Sequence, residues 1–464
     1  MPEGVTARLC RRIVDLRDDR LDAVALAAAR LLVLDGLAVG VAGSQEQPIG
    51  LLVDHARSLG TTPAATVLGH DLRTDVVSAA AINGAALHVL DFEPMWSPSN
   101  HALSTTLPVA LALAEITDAG GAEVLRALVH GIELQGWLRV ASRQWAAADL
   151  RFHPPGLVGP LGAAVTAAQL LGLDAEQLGD ALGIAASRSG GLMANVGTMT
   201  KATHCGHAAA AGLEAALLAK RGFTANPDIL DAPLGFGEAF SSEFATEEVL
   251  GFGPPYRLVR PGFVVKRYPS QFGTHFGISA ALRLRERLLQ PERITAVRLT
   301  VPVMRYVDRS LPATGLDGKF SLQYTTAAAL LDARVDRHTF SDGCLHRPAL
   351  QALLARTELL VDENIGGRFE EMHVLLEVDL DDGTTLSQRS DDLAGGFGPG
   401  TIGRHEHLTK VRDCLGVTLD EPAVERTIAA VDRFEQLPNA TLRAMLGELA
   451  PTWGSGSHHH EGVR

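Results

Sequence analysis

The sequence predicts a mainly helical protein that carries a second domain of α+β type, and three observations lead there. The 464 residues exceed what one hydrophobic core usually serves, so two structural units are expected. Hydrophobic residues make up 46% of the chain and aromatics only 5%, which suits Ala, Leu and Val packed between close helices better than an aromatic-rich β-sandwich. The periodicity also changes past Lys266, from Ala/Leu-rich helical runs to the alternation of half-buried strands.

Taken in order, helical segments are expected at 21–41, 76–90, 105–116, 122–147, 157–171, 175–187 and 204–221, punctuated by Gly, Pro and Asn. In the run GLDAEQL, Gly172 ends one helix and Asp174 offers an N-cap to the next, with Glu176 and Gln177 near its first turn. Beyond Lys266, Val297, Leu299, Val301 and Val303 alternate with Arg298, Thr300 and Pro302 as in a strand. Val374, Leu376, Val378 and Leu380 repeat the pattern. Asp382-Gly383 followed by Thr385-Leu386 then predicts an antiparallel hairpin. Residues 324–331 and 349–356 read as helices between the strands. The resulting architecture is a helical domain of 1–266 and 405–453, whose last helices could rejoin its first part, and an α+β domain of 267–404. Gly-rich 395–403 reads as a mobile connection. The 454–464 tail, with Gly454–Ser457 before His458, His459 and His460, has the composition of a flexible linker and truncated tag and is set apart from function.

Charge and motif absences exclude several functions. The formal charge of -13 has no compensating basic stretch, so nucleic acid and anionic membranes are not expected partners. An anionic substrate must then be drawn by Lys, Arg or His inside a pocket. Cys10, Cys205, Cys344 and Cys414 form no CxxC pair, which argues against a structural zinc or a disulfide framework and for a cytoplasmic protein. Arg8, Arg11, Arg12 and Asp15 precede any apolar run, and Arg30 and Asp35 interrupt 21–43, so neither a signal peptide nor a membrane span is expected. The glycines around Gly235 and Gly396 do not make a dinucleotide fingerprint, and no Walker loop, HExxH or GxSxG occurs. No cofactor and no metal are expected.

Polar loops between the helices carry the candidate chemistry. The stretch from Asp91 to His101 holds two acids, two prolines, Trp96 and a histidine, and reads either as a pocket wall or as a helix-capping connector. His153 sits in the turn Phe152-His153-Pro154-Pro155. Lys201 precedes an Ala-rich helix expected to begin near His204, where its charge would add to the helix dipole as a carboxylate receptor; the alternative is a solvated loop lysine. Cys205 beside His204 reads as a buried cysteine rather than a nucleophile. Lys266 with His275, and Lys319 with Tyr324, complete the set; Tyr324 is a proton relay or a packed aromatic.

Read together, LHVLDF, the spacing of Trp96, Pro98 and His101, HALSTTLPVALALAE, FHPPG, GLDAEQLGDALGIAAS, GLMANVGTMTK with His204, KRYPSQFGTH and TGLDGKFSLQY resemble the MmgE/PrpD family up to about Asp420. That resemblance implies a helical domain built from both chain ends, a smaller α+β lid, a homodimer, and an active site between the domains. It also implies a lyase of the 2-methylcitrate dehydratase or cis-aconitate decarboxylase type, or an epimerase of the iminodisuccinate type. A family relative that has lost catalysis and only binds is the remaining class. Asp91, His101, His153, Lys201, His275 and Tyr324 are the implied site residues, with Met95 and Trp96 on the wall. Met95 stands where the family often has a hydroxyl, Ala202 where it often has proline, and 387–403 lacks a PKG-like segment. On this reading His101 is the acid/base, Asp91 orients it, Lys201, His153 and His275 hold carboxylates, and Tyr324 relays a proton.

Overall fold

The computed structural model describes residues 4–145, 150–391 and 402–450. The 454–464 tail and most of Gly-rich 395–403 therefore lie outside the described residues. The first part runs α1 (Val5–Asp15), α2 (Ala23–Gly43), α3 (Gln47–Leu59), β1 (Ala65–Thr66), β2 (Arg73–Thr74), α4 (Val76–Val89), β3 (Met95–Trp96) and α5 (Leu103–Ala114). It continues through α6 (Gly121–Ala141), α7 (Pro154–Leu171), α8 (Ala175–Ala186), α9 (Thr200–Ala219), the short α10 (Phe236–Phe240) and β4 (Phe263–Val264). The helices α4, α7 and α9 pack almost backbone to backbone. A Cβ at Gly206 would run into the Ala81 carbonyl, and one at Gly212 into the Pro160 carbonyl, so glycine is what lets α9 settle between its neighbours. The helix α2 is long and apolar enough to cross a membrane, yet it is mostly buried inside the protein, against α4 and the C-terminal helices.

The α+β part follows with α11 (Thr274–Arg285), β5 (Ile294–Val301), α12 (Gly315–Gly318), α13 (Leu322–Asp332), α14 (Asp342–Leu345), α15 (Pro348–Leu354), β6 (Thr357–Val361), β7 (Val374–Leu380) and β8 (Thr385–Ser390). The sheet order is β6-β5-β7-β8, with β6 parallel to β5 and the other pairs antiparallel. Alternate residues of β5 and β7 point into a core closed by α11 and α13, as the period-2 pattern requires. The expected hairpin is present: β7 pairs β8 with Asp379 opposite Thr385, and Gly383 takes φ +83° in the turn. The helices α16 (Arg404–Leu415), α17 (Glu421–Val431) and α18 (Asn439–Glu448) return to pack on α2 and α5, sharing one core with residues of the first part.

The expected mixture of many helices and a small β portion is thus found. Differences are local. Asp174 caps α8 as anticipated, accepting from Gln177 N in a reciprocal capping box. The helix α6 stops at Ala141 rather than 147, because Arg143 turns left-handed at φ +56°. Val303 lies past the end of β5. The edge strand β6 is short and half exposed, so it lacks a clean alternation, and the helices α1 and α3 were not anticipated. The signal for α1 is visible in Val5, Leu9 and Ile13, four residues apart. Most consequential, α9 begins at Thr200, four residues before the expected start at 204, which places Lys201 within its first turn instead of ahead of it.

One buried carboxyl in α6 gives a stability test. Glu133 accepts from Trp137 Nε1 at 2.7 Å and from Arg257 N at 2.6 Å, and burial pushes its pKa from 4.5 up to about 7. A carboxyl raised in the fold adds stability fully below pH 4.5 and loses it as pH climbs through 7. Melting temperatures from pH 4 to 8 should therefore show wild type losing ground to Glu133→Gln as pH rises; a difference independent of pH would show that Glu133 is not protonated in the fold.

Candidate active site

The site is assembled from a helix end, a loop and a helix beginning. His88 occupies the last turn of α4, and the chain then turns sharply at Asp91, whose φ of +51° is left-handed and tolerated by aspartate. Past Glu93, β3 pairs antiparallel with β4, Met95 opposite Val264 and Trp96 opposite Phe263. That register carries Lys266 back alongside Asp91. Lys266 Nζ donates to the Asp91 carbonyl at 2.9 Å, to its carboxylate, and to Ser270 O at 3.2 Å. Lys201 Nζ, from the first turn of α9, donates to the other Asp91 carboxylate oxygen at 2.5 Å. Burial alone would raise the Asp91 pKa, but Lys201 and then Lys266 outweigh it and hold the carboxyl well below the usual range.

A second carboxylate stands beside the first. Glu93 is fully buried, pairs with His88 Nδ1, and accepts from Ser104 Oγ at 3.2 Å. His101 Nδ1 lies 2.9 Å from Glu93 Oε1, an ion-pair contact rather than an aligned hydrogen bond. Burial opposes the charge of Glu93, while His88 and His101 draw its pKa well down. Burial, then the field of Lys201, push His88 to about 3, so its imidazole is neutral near pH 7. His153 caps the N-terminus of α7, and its Nδ1 is 3.2 Å from His204 Nδ1. Burial and then Lys201 lower both of these imidazoles as well. Ring centroids are 4.6 Å apart for His88 and His101, 5.9 Å for His101 and His153, and 5.3 Å for His153 and His204.

His88, His101 and His153 each offer one nitrogen within 4.8 Å of the others, as do the donors of Asp91, Glu93 and His101. Such sets could hold a cation, although Lys201 and Lys266 already fill that electrostatic role in the same cluster. Four buried polar atoms near the cluster have no partner among the described residues: Glu93 Oε2, His88 Nε2, His275 Nδ1 and Trp96 Nε1. Orphaned groups of this kind mark a place for a ligand or ordered water.

The structure brings Asp91, His101, His153 and Lys201 together with the candidate Lys266, and adds three residues to the expected list: His88, Glu93 and His204. His88 and His204 accompany the quoted motifs and Glu93 lies in the polar loop from Asp91 to His101, but spacing alone did not say that α4, α7, α9 and β4 converge. His275 stands on the Lys266 side, its ring against Tyr268 and Phe272, its Nε2 3.1 Å from Tyr268 O, and its pKa pushed by burial and then Lys266 to about 3. Met95 is packed in the α+β core and Trp96 against Phe263, 5.4 Å between centroids, so both are wall rather than polar machinery. Tyr324 is not brought into the cluster: its hydroxyl donates to the Thr339 carbonyl, because α13 directs the ring into the α+β core beside Phe340. Cys205 is fully buried and its thiol is pushed up by burial and then Glu93, as a packed cysteine should be.

Behind the cluster a third ion group fixes the loops. Lys410 on α16 donates to Asp35 Oδ2 at 3.0 Å, to Phe92 O at 2.8 Å and to Lys266 O at 3.1 Å, while His407 Nε2 contacts Asp35 Oδ1 at 3.1 Å. One cation from the C-terminal helices thereby grips both main-chain segments that flank Asp91.

Comparisons with known proteins show the family of the chain. A profile of the MmgE/PrpD N-terminal domain matches residues 7–248, and one of the MmgE/PrpD C-terminal domain matches 268–436. The chain is 31% identical over 459 residues to a cis-aconitate decarboxylase of Mus musculus, covering 96% of this chain and 94% of that one. It is also 31% identical over 471 residues to a cis-aconitate decarboxylase of Homo sapiens, covering 98% of each chain. A mitochondrial 2-methylcitrate dehydratase of Yarrowia lipolytica is 25% identical over 477 residues, covering 92% of this chain and 87% of that one.

Replacing Asp91 by Asn removes the counter-charge of two buried ammonium groups. Breaking a buried pair by deleting one partner costs about 3–5 kcal/mol. Denaturant unfolding of Asp91→Asn should show a loss of that order; a loss below about 1 kcal/mol, the scale of an exposed pair, would mean that the lysines are hydrated instead.

Proposed function

Because the chain belongs to the MmgE/PrpD family, we propose that it is a cofactor-independent lyase of a small di- or tricarboxylate, and that its reaction is the decarboxylation of cis-aconitate. The carrying observation is the convergence of two ammonium groups, a buried carboxylate pair and several imidazoles in one cluster with orphaned polar atoms. Two relatives bearing the decarboxylase name are 31% identical, whereas the 2-methylcitrate dehydratase of Yarrowia lipolytica is 25% identical.

The chemistry needs no external electron sink. Cleavage of the carboxylate on the CH2 arm leaves an electron pair that spreads over the adjacent double bond, and protonation at the far carbon completes the reaction. Lys201 and Lys266 attract and hold carboxylates that the overall charge of -13 would repel. His153 donates to the same groups as a neutral imidazole, while His275, whose Nε2 donates to the Tyr268 carbonyl, turns an accepting Nδ1 toward a protonated group of the substrate. His101 delivers the proton to carbon, and Glu93, rather than Asp91, orients its ring. Asp91 keeps the two lysines in register until substrate arrives.

Dehydration of a 2-methylcitrate-type hydroxy acid is the second reading, favoured by the Yarrowia lipolytica relative and by the same acid/base set. A cytoplasmic homodimer belongs to the proposal, supported by four buried, unpaired cysteines and by the family resemblance.

Incubation with cis-aconitate and 2-methylcitrate in deuterated buffer, read by mass spectrometry, separates the readings. Carbon dioxide release with one deuterium fixed at carbon is expected; loss of water alone would replace decarboxylase by dehydratase, and inertness toward both would sink the lyase proposal. His101→Asn and Lys201→Ala should each lower turnover by about 10²–10⁴-fold, the range for a positioned acid/base.

A further inference from the structure

Decarboxylation takes up one proton from solvent per turnover: the C–C bond breaks, carbon dioxide leaves, and the electron pair left on carbon captures a proton. In the proposed reaction His101 gives that proton, becomes neutral, and must regain one before the next cycle. His101 is buried, as is His153 behind it.

We infer that His204 is the inlet of a proton relay, taking a proton from solvent and passing it through His153 to His101. The inference rests on the decarboxylase reading. A cavity of about 290 Å³, lined by Gly190, Gly191, Asn195, Thr203, His204 and His207, reaches the outer side of His204. On its inner side His204 Nδ1 meets His153 Nδ1 at 3.2 Å. From His153 the next imidazoles are those of His88 and His101, with one nitrogen of each of the three within 4.8 Å of the others. That gap is closed by a modest ring rotation or by one bridging water.

The surroundings hold the relay in line. His153 N donates to Gly191 O at 2.8 Å, tying the cap of α7 to the loop that borders the cavity. Gly191 has φ +97°, and a Cβ there would come within 3.2 Å of the His204 ring, so the glycine leaves that ring its place. A neutral imidazole accepts a proton on one nitrogen and releases one from the other, which is what a relay asks of it. Burial and the neighbouring Lys201 favour that neutral form for both His153 and His204. His204 thus acts through His153 and does not touch the substrate.

The full-length enzyme with His204→Gln, which keeps a polar side chain, and with His204→Ala, which opens space continuous with the cavity, tests the relay. Expected are a fall in kcat for carbon dioxide release from cis-aconitate of about 10²-fold, an almost unchanged KM, a larger solvent deuterium isotope effect, and recovery of His204→Ala by added imidazole but not of wild type. Wild-type turnover in both variants, or a loss that imidazole fails to restore, overturns the relay while leaving the reaction in place. Absence of carbon dioxide release from wild type overturns the decarboxylase reading, and the relay with it.

Discussion

A carboxylate taken out of water persists as an anion only if cations replace its hydration, and Asp91 meets that condition through Lys201 and Lys266. The three residues come from the end of α4, the start of α9 and the strand β4 region. Asp91 is tolerable because both ammonium groups face it, and each ammonium is tolerable because Asp91 offsets its burial and the repulsion of the other. Neutralisation within the cluster also leaves two ammonium groups desolvated and directed, as the proposed binding of a carboxylate requires. The same pairing explains why the neighbouring imidazoles stay neutral, since Lys201 adds its field to the burial of His88, His153 and His204.

Packing supplies the precision that this balance demands. Glycines at the α4, α7 and α9 contacts let three backbones approach within reach of side chains as short as histidine and aspartate. Lys410 then fixes the spacing from outside, binding Phe92 O and Lys266 O with one ammonium whose charge is met by Asp35. The last hundred residues therefore take part in shaping a site whose chemistry resides in the first three hundred. A buried ion group of this sort adds little net stability compared with apolar packing, so its value lies in defining one geometry.

The position of Glu93 sets it, and not Asp91, beside the His101 ring. Asp91 belongs to the lysines, and Glu93 belongs to the histidines. Two adjacent carboxylates with different partners thus separate the lysine pair from the imidazole group.

Much of the molecule was legible in the sequence because local rules govern it. Low aromatic content and Ala/Leu periodicity give the helices, alternation gives β5, β7 and β8, and Asp174 and Gly383 mark a cap and a turn whose geometry depends on nearest neighbours only. Ordered motifs also named Asp91, His101, His153 and Lys201. What spacing along a chain could not decide was which polar side chains face each other: that His88 and Glu93 join the cluster, that Lys266 returns to Asp91 through the β3–β4 register, and that Tyr324 turns away into the α+β core. Local periodicity fixes which face of a helix is apolar, whereas the convergence of buried charges is set by how whole helices pack, and only the tertiary structure determines that.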